Sequence, residues 1–323
     1  MSNCVLSIII VNYNAGPYLR RCLQTIKQQT INNYEVIIVD NASSDDSLVG
    51  IENNEYLTVF CNKQNLGFAA AQNQGMKRAK GKYLMSLNFD IVLTPTFLEE
   101  MIVAIETSNQ IGTVSGKLLR MNSEGQLINQ FDNAGLLLPR NRFPAHRGQY
   151  ELDQGQYDEP ALVFGAIGAA ALYRKEMLED IAYQNQFFDE SYFMWYEDID
   201  LDWRARLRGW DCLYTPQAVA YHVGDAHGHG RSEFGAEVSM RNRWQMILSN
   251  ECFGCLLKHA PWLVVEELQL IRYLVGRGWL RTYLRALWSF IISTPANLKK
   301  RRWVRQRARR SCLPTYPMVN IGG

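Results

Sequence analysis

Two aspartates stand where a chain of this kind can do chemistry. Asp40 ends the apolar run Val36-Ile37-Ile38-Val39, and Asp90 follows the run that begins at Lys82-Tyr83-Leu84-Met85. Carboxylates at the ends of separate buried strands suit two tasks. One can accept from a nucleobase N–H or a ribose hydroxyl, while the other gives a hard oxygen ligand to Mg2+ or Mn2+ beside a diphosphate. Each could instead cap the loop or helix that follows it, but two at equivalent strand ends favour a site. A second constellation is Glu197-Asp198-Ile199-Asp200-Leu201-Asp202, four carboxylates in six residues. At a helix start the macrodipole would favour them for structural reasons alone. Alternatively, one of them faces a cleft and takes the proton from an attacking hydroxyl. Asp198 and Asp202 are spaced to share one helix face. His222 ends the strand-like Val219-Ala220-Tyr221, with His227 and His229 in the Gly-rich loop beyond it. Their spacing could be taken for zinc, but no cysteine lies nearby, and a strand-end histidine is more often satisfied by a backbone carbonyl.

These residues need a scaffold, and the first half of the chain provides a recognisable one. Leu6 to Val11 is a continuous apolar run of the kind buried on both faces of a parallel sheet. Pro17 opens a helical pattern in Leu19, Leu23 and Ile26. Val36 to Asp40, Leu57 to Phe60 and Lys82 onward read as further strands, with Phe68 to Ala79 as a helix. This alternation predicts βαβ units in a mostly parallel sheet, whose ligands bind beyond the carboxyl ends of the strands. Residues 121–160 are polar and broken by Gly and Pro, and read as loops with one hairpin at most. Apolar signal returns at Leu162 to Tyr173, 196–209 reads as a charged amphipathic helix, and the pattern after Ser239 is almost wholly helical. After the first strand the chain reads Asn12-Tyr13-Asn14-Ala15-Gly16-Pro17. Neither a G-x-G-x-x-G fingerprint nor a G-x-x-x-x-G-K-[ST] loop is present, so dinucleotide-dehydrogenase and P-loop readings lose their support. A nucleotide site here must handle phosphates another way, and a metal is the obvious one.

The 323 residues carry a formal net charge of +2, and 47% are hydrophobic, which is ordinary globular usage. The balance hides an asymmetry: residues 258–310 hold 13 Lys+Arg against 2 Asp+Glu. Within that region Leu280, Tyr283, Leu284, Leu287, Trp288 and Ile291 form an apolar stripe at helical spacing, flanked by Arg281 and Arg285 and followed by Lys299-Lys300-Arg301-Arg302. A basic amphipathic helix of this kind is expected on an anionic membrane surface. The competing expectation is a helix packed on the main domain with a solvated basic tail. Nucleic acid is disfavoured as a partner because no recognised nucleic-acid fold accompanies the basic run. No secretory signal or spanning segment is expected. Seven scattered cysteines, with Cys252 and Cys255 as one lone C-x-x-C, suggest reduced thiols inside a cell.

Taken in order, the motifs resemble those of inverting GT-A glycosyltransferases of family 2, particularly the rhamnosyltransferase-like branch. The resemblance rests on Ser7 to Asn14, Val36 to Asp45, Asn65-Leu66-Gly67-Phe68-Ala69, Asn73-Gln74-Gly75 and Leu87-Asn88-Phe89-Asp90. It continues in Gly168-Ala169-Ala170, Phe188-Asp189-Glu190, Glu197 to Leu201, Gly209-Trp210 and His222. It implies an α/β GT-A fold, Rossmann-like, over residues 1–250, with 1–95 as the nucleotide half, 96–250 as the acceptor half, and a basic helical membrane tail over 251–323. Asp40 would contact the base, with Asn12, Asn14, Asn41, Gly67, Asn73 and Asn88 around the nucleotide-sugar. Asp90 and His222 would hold Mg2+ or Mn2+, and Asp198 would be the acceptor-activating base, with Glu197 next in line. The implied reaction transfers a sugar, dTDP-rhamnose being the favoured donor, to a glycan or polyprenyl-linked acceptor at the cytoplasmic face of the cell membrane. A UDP- or GDP-hexose donor, or a non-catalytic scaffold, is the alternative. Two positions depart from the family pattern: Asn88 replaces the first acid of the D-x-D-like motif, and Phe89 stands where Pro is more typical.

Overall fold

A computed structural model describes residues 4–224 and 232–313. The chain opens with β1 (Leu6–Asn12), α1 (Tyr18–Lys27), β2 (Tyr34–Asp40), β3 (Leu57–Cys61), α2 (Phe68–Met76) and β4 (Tyr83–Leu87). β1 pairs in parallel with both β2 and β4, and β2 with β3. The apolar run of β1 is continuous because both its faces are covered. Leu6, Ile8 and Ile10 join the core under α1, while Ile9 and Val11 join the core under α2. Each such side chain, fully withdrawn from water, contributes about 1.5–3 kcal/mol. The expected strands and first helix are therefore present, although α2 stops at Met76 and β4 at Leu87, which leaves Asp90 in the turn beyond.

The second half extends the sheet with mixed directions. It contains β5 (Ile91–Leu93), α3 (Phe97–Glu106), β6 (Ile111–Met121), β7 (Leu127–Asn133), β8 (Leu136–Leu137), β9 (Ala145–His146), β10 (Ala161–Val163), β11 (Ala170–Arg174), α4 (Lys175–Ile181), α5 (Glu197–Arg208) and β12 (Asp211–His222). The ten-stranded sheet runs β10-β12-β6-β11-β4-β1-β2-β3, with β5 on β12 and β7 on β6. β11 enters antiparallel between β4 and β6, and β6 pairs in parallel with β12. The polar stretch 121–160 is thus more ordered than its composition suggests, since β7 pairs with β6 and β8 with β9. Four strands in parallel are what α/β sequence periodicity announces; the antiparallel insertion brings β12, and His222 at its end, to the same sheet edge as Asp90.

Three helices close the chain: α6 (Glu233–Asn250), α7 (Phe253–Gly276) and α8 (Leu280–Arg307). α8 lies along α6, where Gln245 Nε2 donates to Ser293 Oγ at 2.9 Å. Thr282, Ala286, Asn297, Lys300 and Val304 form its buried face. The apolar stripe from Leu280 to Ile291 is not that face: Leu280, Leu284, Leu287, Trp288 and Ile291 are all exposed. No helix among the described residues is long and apolar enough to cross a membrane. Lys300 corrects the sequence expectation. One residue beyond the exposed Lys299, and so about 100° further around the helix, it is buried and paired with Asp189 at 2.6 Å and Asp200 at 2.8 Å. Arg301 likewise turns back, donating to the Leu248 carbonyl at 2.7 Å, while Lys299 and Arg302 face outward.

Candidate active site

A cavity of about 570 Å³ opens at the carboxyl ends of the parallel strands, and its wall includes Tyr13, Asn41, Gly67, Asn88, Asp90, Gly168, Glu197, Asp198 and His222. β1 and β2 deliver Asn12 and Asp40 as direct neighbours in register. Asn12 Nδ2 donates to Asp40 Oδ1 at 2.7 Å, and Ser43 contributes its hydroxyl at 2.6 Å and its N–H at 3.1 Å to the same carboxylate. Both residues are buried and neither is in the cavity wall, so Asp40, expected at the base, lies behind the floor of the site with its carboxylate engaged by Asn12 and Ser43. Asn14 Oδ1 accepts from the Ser44 N–H at 2.7 Å, which fixes the 41–46 loop. Asn41 is at the wall, with its amide donating to the Gly67 carbonyl at 3.0 Å.

Gly67 precedes α2 with φ of +86°, and a Cβ there would stand 2.5 Å from the Phe193 ring. Only glycine allows that approach. Asn73, expected at the nucleotide, is corrected by the structure to a scaffold position. Its amide donates to the Phe188 carbonyl at 2.7 Å and to Glu190 at 2.9 Å, and accepts from the Phe187 and Phe188 N–H groups. The residue is buried with its amide fully engaged, and it ties α2 to the 187–190 segment.

Asp90, His222 and Asp132 form a chain of their own. His222 Nδ1 meets Asp132 Oδ2 at 2.8 Å, and its Nε2 lies 3.4 Å from Asp90 Oδ1. Burial alone would lower the imidazole, but the carboxylates of Asp90 and Asp132 hold it well above its ordinary value. Burial would raise Asp90, and the His222 charge instead keeps it below the usual carboxylate range. Asp90 Oδ1 is buried without a hydrogen-bond partner among the described residues. A divalent cation fits that donor set once it displaces the Nε2 proton of His222: a hard carboxylate oxygen beside an imidazole whose far nitrogen is already anchored by a carboxylate. Asp132 carries no sequence signal, being one acid in a polar hairpin, and only the antiparallel β6–β7 pairing brings it here. His227 and His229 lie outside the described residues.

The four acids of α5 divide into one pair, Asp198 and Asp202, and two that face apart, Glu197 and Asp200. Asp198 Oδ2 accepts from the Gly168 N–H at 2.8 Å and Oδ1 from the Ile199 N–H at 2.8 Å. One turn on, Asp202 accepts from the Ala166 N–H and the Thr113 hydroxyl, both at 2.8 Å. The expected shared face therefore exists, and it grips the 165–168 loop at two points. Burial raises Asp198 above its ordinary value against the pull of these N–H bonds, and burial with the Asp198 charge raises Glu197 further. Glu197 Oε2 is buried without a hydrogen-bond partner among the described residues. Asp200 turns away from the cavity to Arg204 at 2.9 Å and Lys300. The turn before α5 is strained, with Phe193, Trp195 and Tyr196 all at φ between 63° and 69°. Buried Asn242 of α6 holds it, donating to the carbonyls of Tyr192, Met194 and Trp195 at 2.8–2.9 Å. Nothing in the local sequence marks Asn242.

The chain matches the sequence profile of Glycosyl transferase family 2 over residues 7–182. It is 31% identical over 126 residues to an uncharacterized glycosyltransferase of Haemophilus influenzae, an alignment that covers 38% of this chain and 39% of that protein. It is 23% identical over 301 residues to the N-acetylglucosaminyl-diphospho-decaprenol L-rhamnosyltransferase of Mycobacterium tuberculosis, covering 86% and 94% of the two. Among solved structures it resembles GalNAc-T7 with UDP, GalNAc and Mn2+ at a TM-score of 0.62 and 17% identity, over 76% of this chain and 48% of that one. It also resembles the mannosyltransferase PcManGT of Pyrobaculum calidifontis with GDP-Man and Mn2+, at a TM-score of 0.52 and 15% identity, over 94% and 83%. These structural likenesses carry the GT-A-like fold.

Proposed function

The chain belongs to glycosyl transferase family 2, and on that premise we propose that it inverts configuration while moving a sugar from a nucleotide-sugar to a glycan hydroxyl. The observation that carries this reading is the meeting, in one cavity, of a raised carboxylate pair with a buried Asp90 oxygen that faces His222 and has no hydrogen bond among the described residues. Asp198 takes the acceptor proton as the acceptor oxygen attacks the anomeric carbon. Its two backbone N–H bonds set the carboxylate's direction. Asn41, Gly67 and Asn88 line the donor side, with Asn12, Asn14 and Asp40 bracing the loop that receives the nucleotide. Asp90 and His222 would hold Mg2+ or Mn2+, which when bound offsets charge on the leaving diphosphate. Residues 1–95 then form the nucleotide half and 96–250 the acceptor half.

The favoured donor is dTDP-rhamnose and the favoured acceptor a polyprenyl-linked glycan in cell-surface polysaccharide synthesis, a reading supported by the rhamnosyltransferase activity of the mycobacterial relative on a decaprenol-linked sugar. The GDP-Man and UDP complexes of the structural neighbours support a hexose donor as the second reading. Helices α7 and α8, in the 251–323 region, would rest on the inner face of the cell membrane. Their exposed Leu284, Trp288 and Ile292 beside Arg281, Arg285, Lys299 and Arg302 support this.

A panel of sugar nucleotides, scored by thermal shift with and without Mn2+, tests the donor. A ligand at 100 times its Kd stabilises by about 2.7 kcal/mol, so one Mn2+-dependent shift identifies it. Asp198→Asn should keep that shift and lose turnover by about 100-fold or more. Full turnover in Asp198→Asn would move the base to Glu197, and a panel with no shift would favour a non-catalytic scaffold.

A further inference from the structure

The lone C-x-x-C of the sequence acquires a third thiol in the fold. Cys252 caps the N-terminus of α7, and its Sγ accepts from the Cys255 N–H at 2.9 Å. Cys312, beyond the end of α8, brings its Sγ to 3.2 Å from Cys252 Sγ. All three sulfurs lie within 4.8 Å of one another, and all three are free thiols. Zinc bound by thiolates at about 2.3 Å spaces tetrahedral sulfurs about 3.8 Å apart, a span the cluster reaches with a small widening of its Cys252–Cys312 contact. The chain is drawn into this place by contacts independent of the thiols. Arg305 donates to the Ser311 carbonyl at 3.0 Å and to the Asn250 carbonyl, and the Arg309 and Arg310 N–H groups donate to the Leu207 carbonyl.

We propose that Cys252, Cys255 and Cys312 form a zinc site that fastens the segment after α8 to the corner between α6 and α7. Two ligands come from the N-cap and first turn of one helix, and, against burial, the Cys255 N–H bond to the Cys252 sulfur helps hold that thiol below its ordinary value. The third arrives from 57 residues beyond Cys255, so the bound ion cross-links distant parts of the chain. Binding forms three Zn–S bonds and releases the thiol protons to solvent. The sulfurs border a second cavity, of about 320 Å³, that also contains Arg142, Lys258 and His259. Among the described residues no His, Asp or Glu ligand atom joins the three sulfurs within that 4.8 Å spacing, and the fourth zinc position is assigned to water in that cavity. Lys258 borders the cavity and offsets part of the surplus negative charge of three thiolates on a dication, whereas Arg142 is paired with Glu251 at 2.5 Å. The site is chemically distinct from the Asp90 and His222 set, which has oxygen and nitrogen donors only.

Purified full-length chain, kept reduced, tests the assignment by metal analysis and by Co2+ titration. Zinc should co-purify at one per chain, and Co2+ should give the near-ultraviolet thiolate-to-cobalt charge-transfer band. Cys312→Ser, at an exposed position, should lose zinc and weaken the band with an unchanged circular dichroism spectrum. Asp90→Asn and Cys61→Ser should keep both. Absence of the cobalt band in the wild type, or a band that survives Cys252→Ser/Cys255→Ser/Cys312→Ser, would overturn the proposal. So would a Cys252–Cys312 disulfide in place of metal under the same reducing conditions.

Discussion

The base role proposed for Asp198 requires it to be deprotonated, and burial pushes its pKa upward. The sign follows directly: activity is lost as pH falls through that raised value, so the acid limb of kcat/KM belongs above the ordinary aspartate value of about 3.9. A pH profile of the wild type should place the limb there, and a limb at or below the ordinary value would remove Asp198 from the role. Asp132 acts one step further back. It holds His222 by Nδ1 and so turns Nε2 toward Asp90. Replacing a carboxylate of this kind costs about 10–100-fold in metal affinity. Asp132→Asn should therefore weaken Mn2+ binding by that factor in a direct titration, and, because it breaks a buried pair, also lower the melting temperature. Asp90, Asp198 and His222 were legible as candidates because a strand end or a dense acidic motif singles them out. Asp132 was not, since its partner is 90 residues away.

At the scale of elements, α5 has a single register that serves site and scaffold together. Its i and i+4 acids Asp198 and Asp202 bind the 165–168 loop, whereas Asp200 points to Arg204 and Lys300. The helix starts where it does because the Phe193–Tyr196 turn is forced into left-handed conformations, each costing about 1–3 kcal/mol. Asn242 offsets that cost with three hydrogen bonds worth about 0.5–1.5 kcal/mol each. Asn242→Ala should lower stability by about 2–4 kcal/mol and should also cut kcat in protein that remains folded, because the relaxed turn releases Glu197 and Asp198 from the cavity wall. Calorimetry with turnover measured well below the melting temperature separates the two effects. A variant that is less stable but fully active would show that the turn only supports the fold. β1 to β4 were readable as buried apolar runs flanked by helical patterns. β7, β8 and β9 were not, since their order comes from pairing with β6 and with each other, and their own composition is that of a loop.

For the molecule as a whole, the division of α8 into two faces decides how membrane association must be tested. Removing the chain from residue 258 onward would take Lys300 away from Asp189 and Asp200, both buried carboxylates that its charge holds below their ordinary range against the cost of burial. Breaking a buried pair by removing one partner costs about 3–5 kcal/mol, so a truncated chain would lose liposome binding for reasons unrelated to lipid. The outward face offers a cleaner probe. Arg281, Arg285, Trp288, Ile292, Lys299 and Arg302 are exposed, and at 100° per residue they fall on one side of the helix. Basic residues near an anionic bilayer contribute about 1 kcal/mol each, so reversing Arg281, Lys299 and Arg302 to Glu should weaken binding by at least about 100-fold. Trp288→Ser should weaken it independently of salt, while the charge reversals lose their effect as ionic strength rises. Flotation with vesicles of anionic and of neutral lipid reads both. Lys300→Met should destabilise the fold while leaving the partition of the folded fraction unchanged, because that ammonium is spent inside the protein. If the triple reversal floats as well as the wild type, the exposed face is not the membrane surface, and the apolar residues of α7 and α8 must be covered by protein instead.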